Sequence, residues 1–362
     1  MKRTVLHEKH VELGAKIVPF ADFEMPLQYA GVVKEHLAVR STAGIFDVSH
    51  MGELVVSGKN AEKFLQFVTI NDVSQIEIGQ AQYSAMCYED GGIVDDLLIY
   101  RYADHYLLVV NAANIQKDFD WLNKHLIVDV DIKNVSDEIS LIALQGPNSI
   151  KIISKVSESD IYELPYYHFV EGKIANYDVI IARTGYTGEL GFEIYGANDD
   201  MPHVWDAIFD IGKSYELVPA GLAARDTLRL EMKYCLYGND IDETTHPYEA
   251  GLGWITKLEK GKFIGCEAIL KRKENMSRKL VCVEMIDKAI PRKGYKIFKN
   301  GEKIGYFTSA GQSPSLQKGI GLAYINQPFT KSGTGIDIDV RGKFKRAIIV
   351  KPPFYKDGTS LN

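Results

Sequence analysis

Hydrophobic and polar positions between residues 52 and 139 follow two different periods. Three short runs in 82–111 are rich in β-branched and aromatic residues and are separated by turn residues, which predicts three strands. Apolar residues recur at helical spacing in 60–68 and 114–126. Pairs of strands separated by single helices predict a split α+β unit, resembling a ferredoxin-like unit, with a mixed or antiparallel sheet.

The same mixture of helices and strands continues to about residue 278. Segment 178–195 predicts two strands around a glycine-rich turn, and 200–214 and 222–234 predict helices. The first 16 residues predict an amphipathic helix with Leu6, His10 and Leu13 near one face. The overall fold class predicted for this part is therefore α+β.

The pattern changes after the polar segment 271–279. Short strands with frequent turns follow, and Asn300-Gly301 is a typical hairpin signal. Short strands at this spacing predict a separate, all-β C-terminal domain with the form of a small barrel or sandwich.

Composition and charge limit the classes of function. A chain of 362 residues predicts about two or three domains, and a net charge of −6 gives no basic surface for nucleic acid. No apolar run approaches membrane-spanning length, and the N-terminus lacks the apolar core of a secretory signal, so we expect a cytoplasmic protein. Histidines at 7 and 10 have no acidic or cysteine partner at metal-ligand spacing, and we expect no metal site. The scattered cysteines predict free, buried thiols: Cys87, Cys235, Cys266 and Cys282.

Two adjacent carboxylates interrupt the apolar strand GGIVDDLLIY at 91–100. A buried carboxylate without a partner costs several kcal/mol or shifts its pKa upward, so Asp95 and Asp96 need compensation. One interpretation is that Asp95 caps the turn after the glycine pair; this fits Asp96 less well. Because successive side chains of a strand point to opposite faces of the sheet, Asp96 is predicted to share its face with Val94, Leu98 and Tyr100.

Two further segments have both a structural and a functional interpretation. GYTGELG at 185–191 lacks the spacing of a dinucleotide fingerprint, so a turn that needs positive φ is the simpler explanation. Arg225 and Arg229 lie one helical turn apart within 219–231. They predict either an ion-paired helix or a cationic clamp for a carboxylate.

Several motifs taken together resemble one family, the T-proteins of the glycine cleavage system, which are aminomethyltransferases. The resemblance covers essentially the whole chain, and the order of the motifs makes it specific. The motifs are FDVSHMGE (46–53), GGIVDDLLIY (91–100), VVNAANIQKD (109–118), ALQGP (143–147), RTGYTGELGFE (183–193), PAGLAARDTLRLE (219–231), EAGLGWITKLEKGKFIGCEAI (249–269) and RKGY (292–295).

The resemblance implies a three-domain protein with folate in a central channel. Residues 1–51 and 140–278 are expected to form the first part of the folate-binding region, 52–139 the inserted α+β domain, and 279–362 the barrel domain. The implied reaction takes an aminomethyl group from the lipoyl arm of the H-protein. Tetrahydrofolate, as cosubstrate, receives the methylene carbon, and ammonia is released. The P-protein and L-protein of the same system are expected to be indirect partners in glycine catabolism and one-carbon metabolism.

The resemblance also assigns the residues of the site. Asp96 is implied as the catalytic carboxylate, which stabilises positive charge near the folate nitrogens. Glu193 is implied as the reader of the pterin edge, because that edge presents hydrogen-bond donors. Tyr186 is expected to pack on folate, and Arg225 to bind its polar groups. The remaining implied lining residues, for which simple packing is an equal alternative, are Met51, Tyr83, Asn111, Tyr234 and Trp254.

Two related classes of protein are alternatives. Non-catalytic folate-binding proteins that assist iron–sulfur protein maturation carry a KGCYxGQE motif, whereas this chain has KGKFIGCE at 260–267. Lys262 stands at the motif's cysteine position and Cys266 is displaced, which counts against this alternative. Demethylating flavoenzymes carry a flavin-binding domain upstream of the folate module, and the present sequence contains none.

Overall fold

Four β-sheets organise the chain in the computed structural model, which describes residues 1–360. The first sheet has three strands in the order β1-β3-β2, and the helix predicted over the first 16 residues is shorter than expected because β1 precedes it. The elements here are β1 (Lys2–Arg3), α1 (His7–Glu12), β2 (Lys16–Phe20), β3 (Phe23–Gln28), α2 (Val32–Ser41) and β4 (Ala43–Asp47).

The second region forms an antiparallel sheet with two helices packed on one face. The strands predicted in 82–111 and both predicted helices are present. The elements are β5 (Gly52–Ser57), α3 (Ala61–Val68), β6 (Ala81–Cys87), β7 (Ile93–Arg101), β8 (His105–Val110), α4 (Ile115–Lys124) and β9 (Asp131–Asn134). Their strand order is β6-β7-β8-β5-β9. Phe64 and Leu122 from the helices pack against Leu97 and Ile99 of β7.

The third region builds a six-stranded sheet that also includes β4. Its elements are β10 (Ile139–Gln145), α5 (Ser149–Val156), β11 (Phe169–Ile174), β12 (Tyr177–Ala182), β13 (Gly191–Ala197), α6 (Met201–Gly212), β14 (Leu217–Pro219) and α7 (Leu222–Glu231). The strand order is β11-β12-β13-β10-β4-β14. Apolar residues of α5 and α6, including Trp205, cover one face of this sheet.

The C-terminal region is a closed six-stranded barrel, as the short strands predicted. The strands run in the order β15-β18-β17-β16-β19-β20, and β20 closes the barrel on β15. Asn300 and Gly301 both have positive φ between β16 and β17, which fits the predicted hairpin turn. The elements are α8 (Cys266–Glu274), β15 (Arg278–Met285), β16 (Lys296–Lys299), β17 (Glu302–Ser313), β18 (Lys318–Asn326), β19 (Gly335–Val340) and β20 (Lys343–Val350).

An apolar and aromatic layer lies between the sheets of the second and third regions. Leu98 and Tyr100 of β7 enter this layer from one sheet, and Tyr195 of β13 enters it from the other. The hydroxyl groups of Tyr100 and Tyr195 are 2.9 Å apart and form a buried hydrogen bond between the sheets. The predicted fold class, mixed helices and sheets followed by a barrel, is thus confirmed. The exact domain bounds stay a prediction.

A β-bulge in β7 changes the predicted assignment of its faces. Met86 of β6 pairs with Asp95 and Cys87 pairs with Ile93, so Val94 has no partner of its own. The extra residue resets the alternation, and Val94 packs into the core under the two helices. The prediction that Val94 shares a face with Leu98 and Tyr100 is therefore wrong.

Candidate active site

Asp96 lies on β7 and is held by two side chains. Its Oδ2 accepts a hydrogen bond of 2.8 Å from the Tyr83 hydroxyl, and its Oδ1 accepts one of 2.9 Å from Asn111 Nδ2. Burial and the neighbouring Asp95 charge raise the pKa of Asp96 to about 7, although both hydrogen bonds act in the opposite direction. The carboxyl group is half-buried. It can therefore gain or lose a proton near neutral pH.

Asp95 is fully buried behind Asp96, and the structure corrects its predicted role as a turn cap. The turn is capped by Asp90, whose Oδ1 accepts a 2.9 Å hydrogen bond from the Gly92 N–H. Asp95 instead accepts hydrogen bonds from Asn111 N at 3.1 Å, Asn111 Nδ2 at 2.9 Å and Asn114 Nδ2 at 2.7 Å. These donors compensate the buried charge, while burial still raises its pKa.

Glu193 enters the same inter-sheet layer from β13. Strand alternation puts it on the face of Tyr195, while Phe192 and Ile194 pack into the core on the other side. Its Oε2 accepts a 2.5 Å hydrogen bond from the Thr184 hydroxyl. Burial raises the pKa of Glu193, and Thr184 and the Arg225 cation oppose that rise.

Arg225 and Tyr186 connect the environment of Glu193 with that of Asp96. The Arg225 guanidinium lies 4.6 Å from the centre of the Tyr186 ring, and the Tyr186 and Tyr234 rings stack with centres 5.6 Å apart. Burial lowers the pKa of Arg225, whereas Tyr186 and Glu193 act to raise it. The Asp96 and Arg225 charges both influence the pKa of Tyr186, which burial raises. The structure thus brings these predicted residues into one cluster.

The glycine-rich turn at 185–191 holds Tyr186 in place. Only Gly188 has positive φ, at +80°, so the predicted need for positive φ applies to one of the three glycines. Gly185 and Gly191 leave room for the Gln145 amide, because a Cβ at either would lie 2.1 or 2.3 Å from it. Gln145 braces the turn in return by accepting a 2.7 Å hydrogen bond from Thr187.

A strap formed by residues 351–360 crosses this turn after the last strand of the barrel. The Thr359 N–H and hydroxyl donate to the buried Glu189 carboxylate at 3.1 and 2.6 Å. Arg40 of α2 pairs with the same carboxylate at 2.8 Å. Gly358 contacts the Gly188 carbonyl so closely that a Cβ would lie 2.4 Å from its oxygen. The strap therefore fixes the turn from outside the sheet that carries it.

The remaining predicted residues have different surroundings. Trp254 is 65% exposed and stacks on Tyr83 with ring centres 6.1 Å apart, so it extends the Asp96 cluster to the surface. Met51 is half-buried and packs against the inter-sheet layer. Packing therefore remains an equal alternative to a folate contact for Met51.

Several residues of the cluster were not found from the sequence. Thr184 and Asn114 lie inside the quoted motifs, yet only the fold shows that they bond to Glu193 and Asp95. Asp118 is fully buried next to Asp95. Its signals in the sequence were its place at the end of the motif VVNAANIQKD and a charge on the apolar face of a predicted helix.

Other candidate features do not form a site of this kind. The His10 imidazole, half of the HEKH pair, is buried and forms a 2.9 Å hydrogen bond with Asp47 that has a structural role. Within residues 1–360, no group of three or more His, Cys, Asp or Glu side chains is arranged to hold a metal ion. In the same range, no helix is long and apolar enough to cross a membrane. Cys87, Cys235 and Cys282 are buried free thiols as predicted, and Cys266 is half-buried. An open depression of about 620 Å³ at residues 30–37 contains none of the predicted site residues.

Comparison with known families agrees with this architecture. The model described as the GCVT N-terminal domain matches residues 6–260. The model described as the glycine cleavage T-protein C-terminal barrel domain matches residues 278–356. Together they span both sheets of the site and the barrel. The chain belongs to the glycine cleavage T-protein family.

Individual relatives are similar over nearly their whole length. An aminomethyltransferase of Chloroherpeton thalassium is 52% identical over 98% of this chain and 99% of its own. One of Halothermothrix orenii is 49% identical over 98% and 100%. The crystal structure of glycine cleavage system aminomethyltransferase T from Bartonella henselae is 35% identical, covers 99% of both chains and has a TM-score of 0.93. The predicted family and class of enzyme are confirmed.

Proposed function

We propose that this chain transfers the methylene carbon of an aminomethyl-dihydrolipoyl H-protein to tetrahydrofolate and releases ammonia. The products are 5,10-methylenetetrahydrofolate and the reduced lipoyl arm. The observation that carries the proposal is the fixed carboxylate of Asp96, which Tyr83 and Asn111 hold, together with the Arg225 guanidinium over the stacked Tyr186 ring. Family membership supplies the reaction class, and this cluster supplies groups that suit it.

Asp96 is the catalytic residue in this proposal. The transferred carbon passes through a cationic stage, and an ionised carboxylate fixed beside it stabilises the developing positive charge. Tyr83 and Asn111 hold the two oxygens of Asp96 in a defined orientation, at 2.8 and 2.9 Å. A pKa of about 7 also allows Asp96 to exchange a proton with the reacting amine at neutral pH.

Glu193 is the residue that binds the pterin edge of folate. Within residues 1–360 its Oε2 is paired with Thr184, and its Oε1 is left to accept from the donors of that edge. Arg225 offers a cation to polar groups of folate, and the stacked Tyr186 and Tyr234 rings offer flat apolar surfaces to a ring system. This donor and acceptor set fits tetrahydrofolate as the cosubstrate.

The lipoyl arm of the H-protein reaches Asp96 from the surface marked by Trp254. Trp254 is exposed and stacks on Tyr83, which bonds Asp96, so these side chains lead from solvent to the catalytic carboxylate. Met51 completes the apolar wall of the folate site. The P-protein and L-protein act on the same carrier in other steps, and a cytoplasmic location belongs to this proposal.

One assay tests the proposal directly. The purified chain is mixed with H-protein loaded with the aminomethyl group and with tetrahydrofolate, and ammonia and methylenetetrahydrofolate are measured. We expect both products in equal amounts, and neither when tetrahydrofolate or the loaded arm is left out. Folate binding without either product would instead support a non-catalytic folate-binding protein, an alternative that the family and its relatives do not favour.

A further inference from the structure

Arg40 of α2 is a cation that lies between the two elements carrying Tyr186 and Arg225. Its side chain is 9% exposed and contacts the glycine-rich turn at 185–191 on one side and α7 on the other. Tyr186 of the turn and Arg225 of α7 meet where the Arg225 guanidinium lies 4.6 Å from the centre of the Tyr186 ring. Arg40 therefore joins the same two elements that this contact joins.

On the side of the turn, Arg40 binds the residue that directly follows Tyr186. Its Nη1 donates to the Thr187 carbonyl at 2.7 Å and to the Glu189 carboxylate at 2.8 Å. At the far end of the Tyr186 ring, the hydroxyl group donates to the Cys235 carbonyl. The backbone next to Tyr186 is thus fixed by Arg40, and the tip of the ring is fixed by Cys235.

On the side of α7, Arg40 binds the helix within two turns of Arg225. Its Nε and Nη2 donate to Glu231 Oε2 at 3.2 and 2.9 Å, and Nη2 also reaches the Leu228 carbonyl at 3.5 Å. Burial acts to raise the pKa of Glu231, but the neighbouring His36 and the Arg40 cation lower it to about 2. Glu231 is therefore ionised at neutral pH, and its hydrogen bonds with Arg40 are charge-assisted.

The guanidinium of Arg40 is filled in a way that leaves it one orientation. Its five hydrogen bonds match its five N–H groups, two on Nη1 toward the turn and three on Nε and Nη2 toward α7. The Tyr355 ring of the strap covers one face, with its centre 4.1 Å from the Arg40 Cζ atom. A planar fork held in this way fixes the spacing between the groups it binds, whereas a lysine ammonium has a compact head and three donors.

We propose that Arg40 is a positioning residue that sets the spacing between the glycine-rich turn and α7, and through it the placement of Arg225 against Tyr186. Under the proposed function these two side chains contact folate. Arg40 thus acts on the affinity for tetrahydrofolate through them. The inference rests on the proposed function for the identity of this ligand.

Arg40→Lys tests the inference, because it keeps the positive charge and loses the span of the fork. We expect about five- to tenfold weaker tetrahydrofolate binding by calorimetry, the size of one desolvated contact between a cation and a ring. The rate of ammonia release at saturating tetrahydrofolate falls much less.

Ser315→Ala is the matched control for Arg40→Lys. It removes a hydroxyl that donates to Glu231 at 2.9 Å and leaves every hydrogen bond of Arg40 in place. We expect its tetrahydrofolate affinity to equal that of the unmodified protein. Equal losses of affinity in the two variants, or no loss in Arg40→Lys, overturn the inference.

A double variant tests whether Arg40 acts through Arg225. Arg225→Gln weakens tetrahydrofolate binding by itself, because it removes the cation that Arg40 is proposed to place. In this background we expect Arg40→Lys to cause less than about a twofold further loss, since both changes affect one contact. Two full losses that multiply would show that Arg40 acts independently of Arg225, and this result overturns the inference.

Fluorine NMR of the protein labelled with fluorotyrosine reports the placement of Tyr186 without any ligand. The Tyr186 signal is identified by its loss in Tyr186→Phe. We expect this signal to move in Arg40→Lys and to keep its position in Ser315→Ala, because only the first variant changes the groups that hold the turn against α7. A signal that keeps its position in Arg40→Lys overturns the inference.

Glu189→Gln takes the place of Arg40→Lys if that variant does not fold. It weakens the hold of Arg40 on the turn and leaves the hydrogen bonds to α7. We expect a smaller loss of tetrahydrofolate affinity, about two- to fivefold, and a shifted Tyr186 signal. Unchanged affinity with an unmoved signal overturns the inference. Failure of the proposed function is a separate result, since the unmodified protein would then form no ammonia while the Tyr186 signal would still respond to these variants.

Discussion

The two carboxylates of the site, Asp96 and Glu193, differ in the charges that surround them. Asp96 faces a like charge, and its pKa lies near 7. Glu193 faces the opposite charge of Arg225, which counteracts the effect of burial on its pKa. A carboxylate beside a like charge has a raised pKa and suits proton transfer. A carboxylate beside a cation stays ionised and suits the binding of a ligand that donates hydrogen bonds. Under the proposed function, the comparison divides the site into a reacting end at Asp96 and a binding end at Glu193.

Removal of the charge at the reacting end is the strongest test of this division. We expect Asp96→Asn to lower the rate of ammonia release from loaded H-protein by about 100-fold or more, because a preorganised charge is lost. Tetrahydrofolate affinity, measured by calorimetry, stays close to that of the unmodified protein. Ammonia release at the normal rate would show that the assignment of Asp96 is wrong.

A change at Glu193 is expected to weaken folate binding and leave the rate nearly unchanged, which is the reverse of the effect expected at Asp96. Glu193→Ala leaves the donors of the pterin edge without a charged acceptor, and we expect about 10- to 100-fold weaker tetrahydrofolate binding by calorimetry. The turnover rate at saturating tetrahydrofolate changes much less. Glu193→Gln, which keeps the shape and one acceptor, serves as the control and falls between the two. Unchanged affinity in Glu193→Ala removes this residue from the binding end.

The pH dependence of activity tests the role of Tyr83, whose hydroxyl bonds to Asp96. In the proposed function an ionised Asp96 is the active form, so we expect activity to rise with pH through about 7, where Asp96 loses its proton. The Tyr83 hydroxyl stabilises that ionised form, so Tyr83→Phe raises the pKa of Asp96 and moves the rising limb to higher pH. We expect a rate loss of about tenfold at neutral pH, the lower end of what a hydrogen bond to a charged group contributes. If the rising part of the pH profile does not move in Tyr83→Phe, the pKa of Asp96 does not control it.

The smallest predicted effect concerns Trp254, the exposed ring that stacks on Tyr83 next to Asp96. Trp254→Ala removes the ring that stacks on Tyr83, while the hydrogen bond of Tyr83 to Asp96 remains. We expect about a two- to fivefold rise in KM for loaded H-protein, in line with one aromatic contact, and no change in tetrahydrofolate affinity. A loss of folate affinity instead would place Trp254 at the binding end.

The sequence was sufficient for the elements and the barrel but not for the surroundings of the aspartate pair. Local periodicity located β6, β7 and β8, because alternation is a property of neighbouring residues. The bulge at Val94 depends on pairing with Met86 and Cys87, which no single strand reveals. The pattern also could not exclude a turn cap for Asp95, because the hydrogen bond from the Gly92 N–H to Asp90 is visible only in the structure.

The binding end was predictable only through motifs. Glu193 and Thr184 are nine residues apart in the chain, and a hydrogen bond between them requires the turn at 185–191 to fold back on itself. Arg225 comes from α7, a different element, and its place over Tyr186 is set by tertiary packing. The family resemblance predicts the roles of Glu193 and Arg225. Only the structure shows that they contact Thr184 and Tyr186.

The strap at 351–360 has a consequence for the order in which the protein is made. Thr359 bonds to Glu189 across 170 positions of the chain. During synthesis from the N-terminus, the sheets and the glycine-rich turn leave the ribosome long before the strap exists. The turn can therefore be locked only after the barrel has been translated. A nascent chain that stops within the barrel has every residue of the predicted site, yet lacks the strap that fixes the glycine-rich turn from outside.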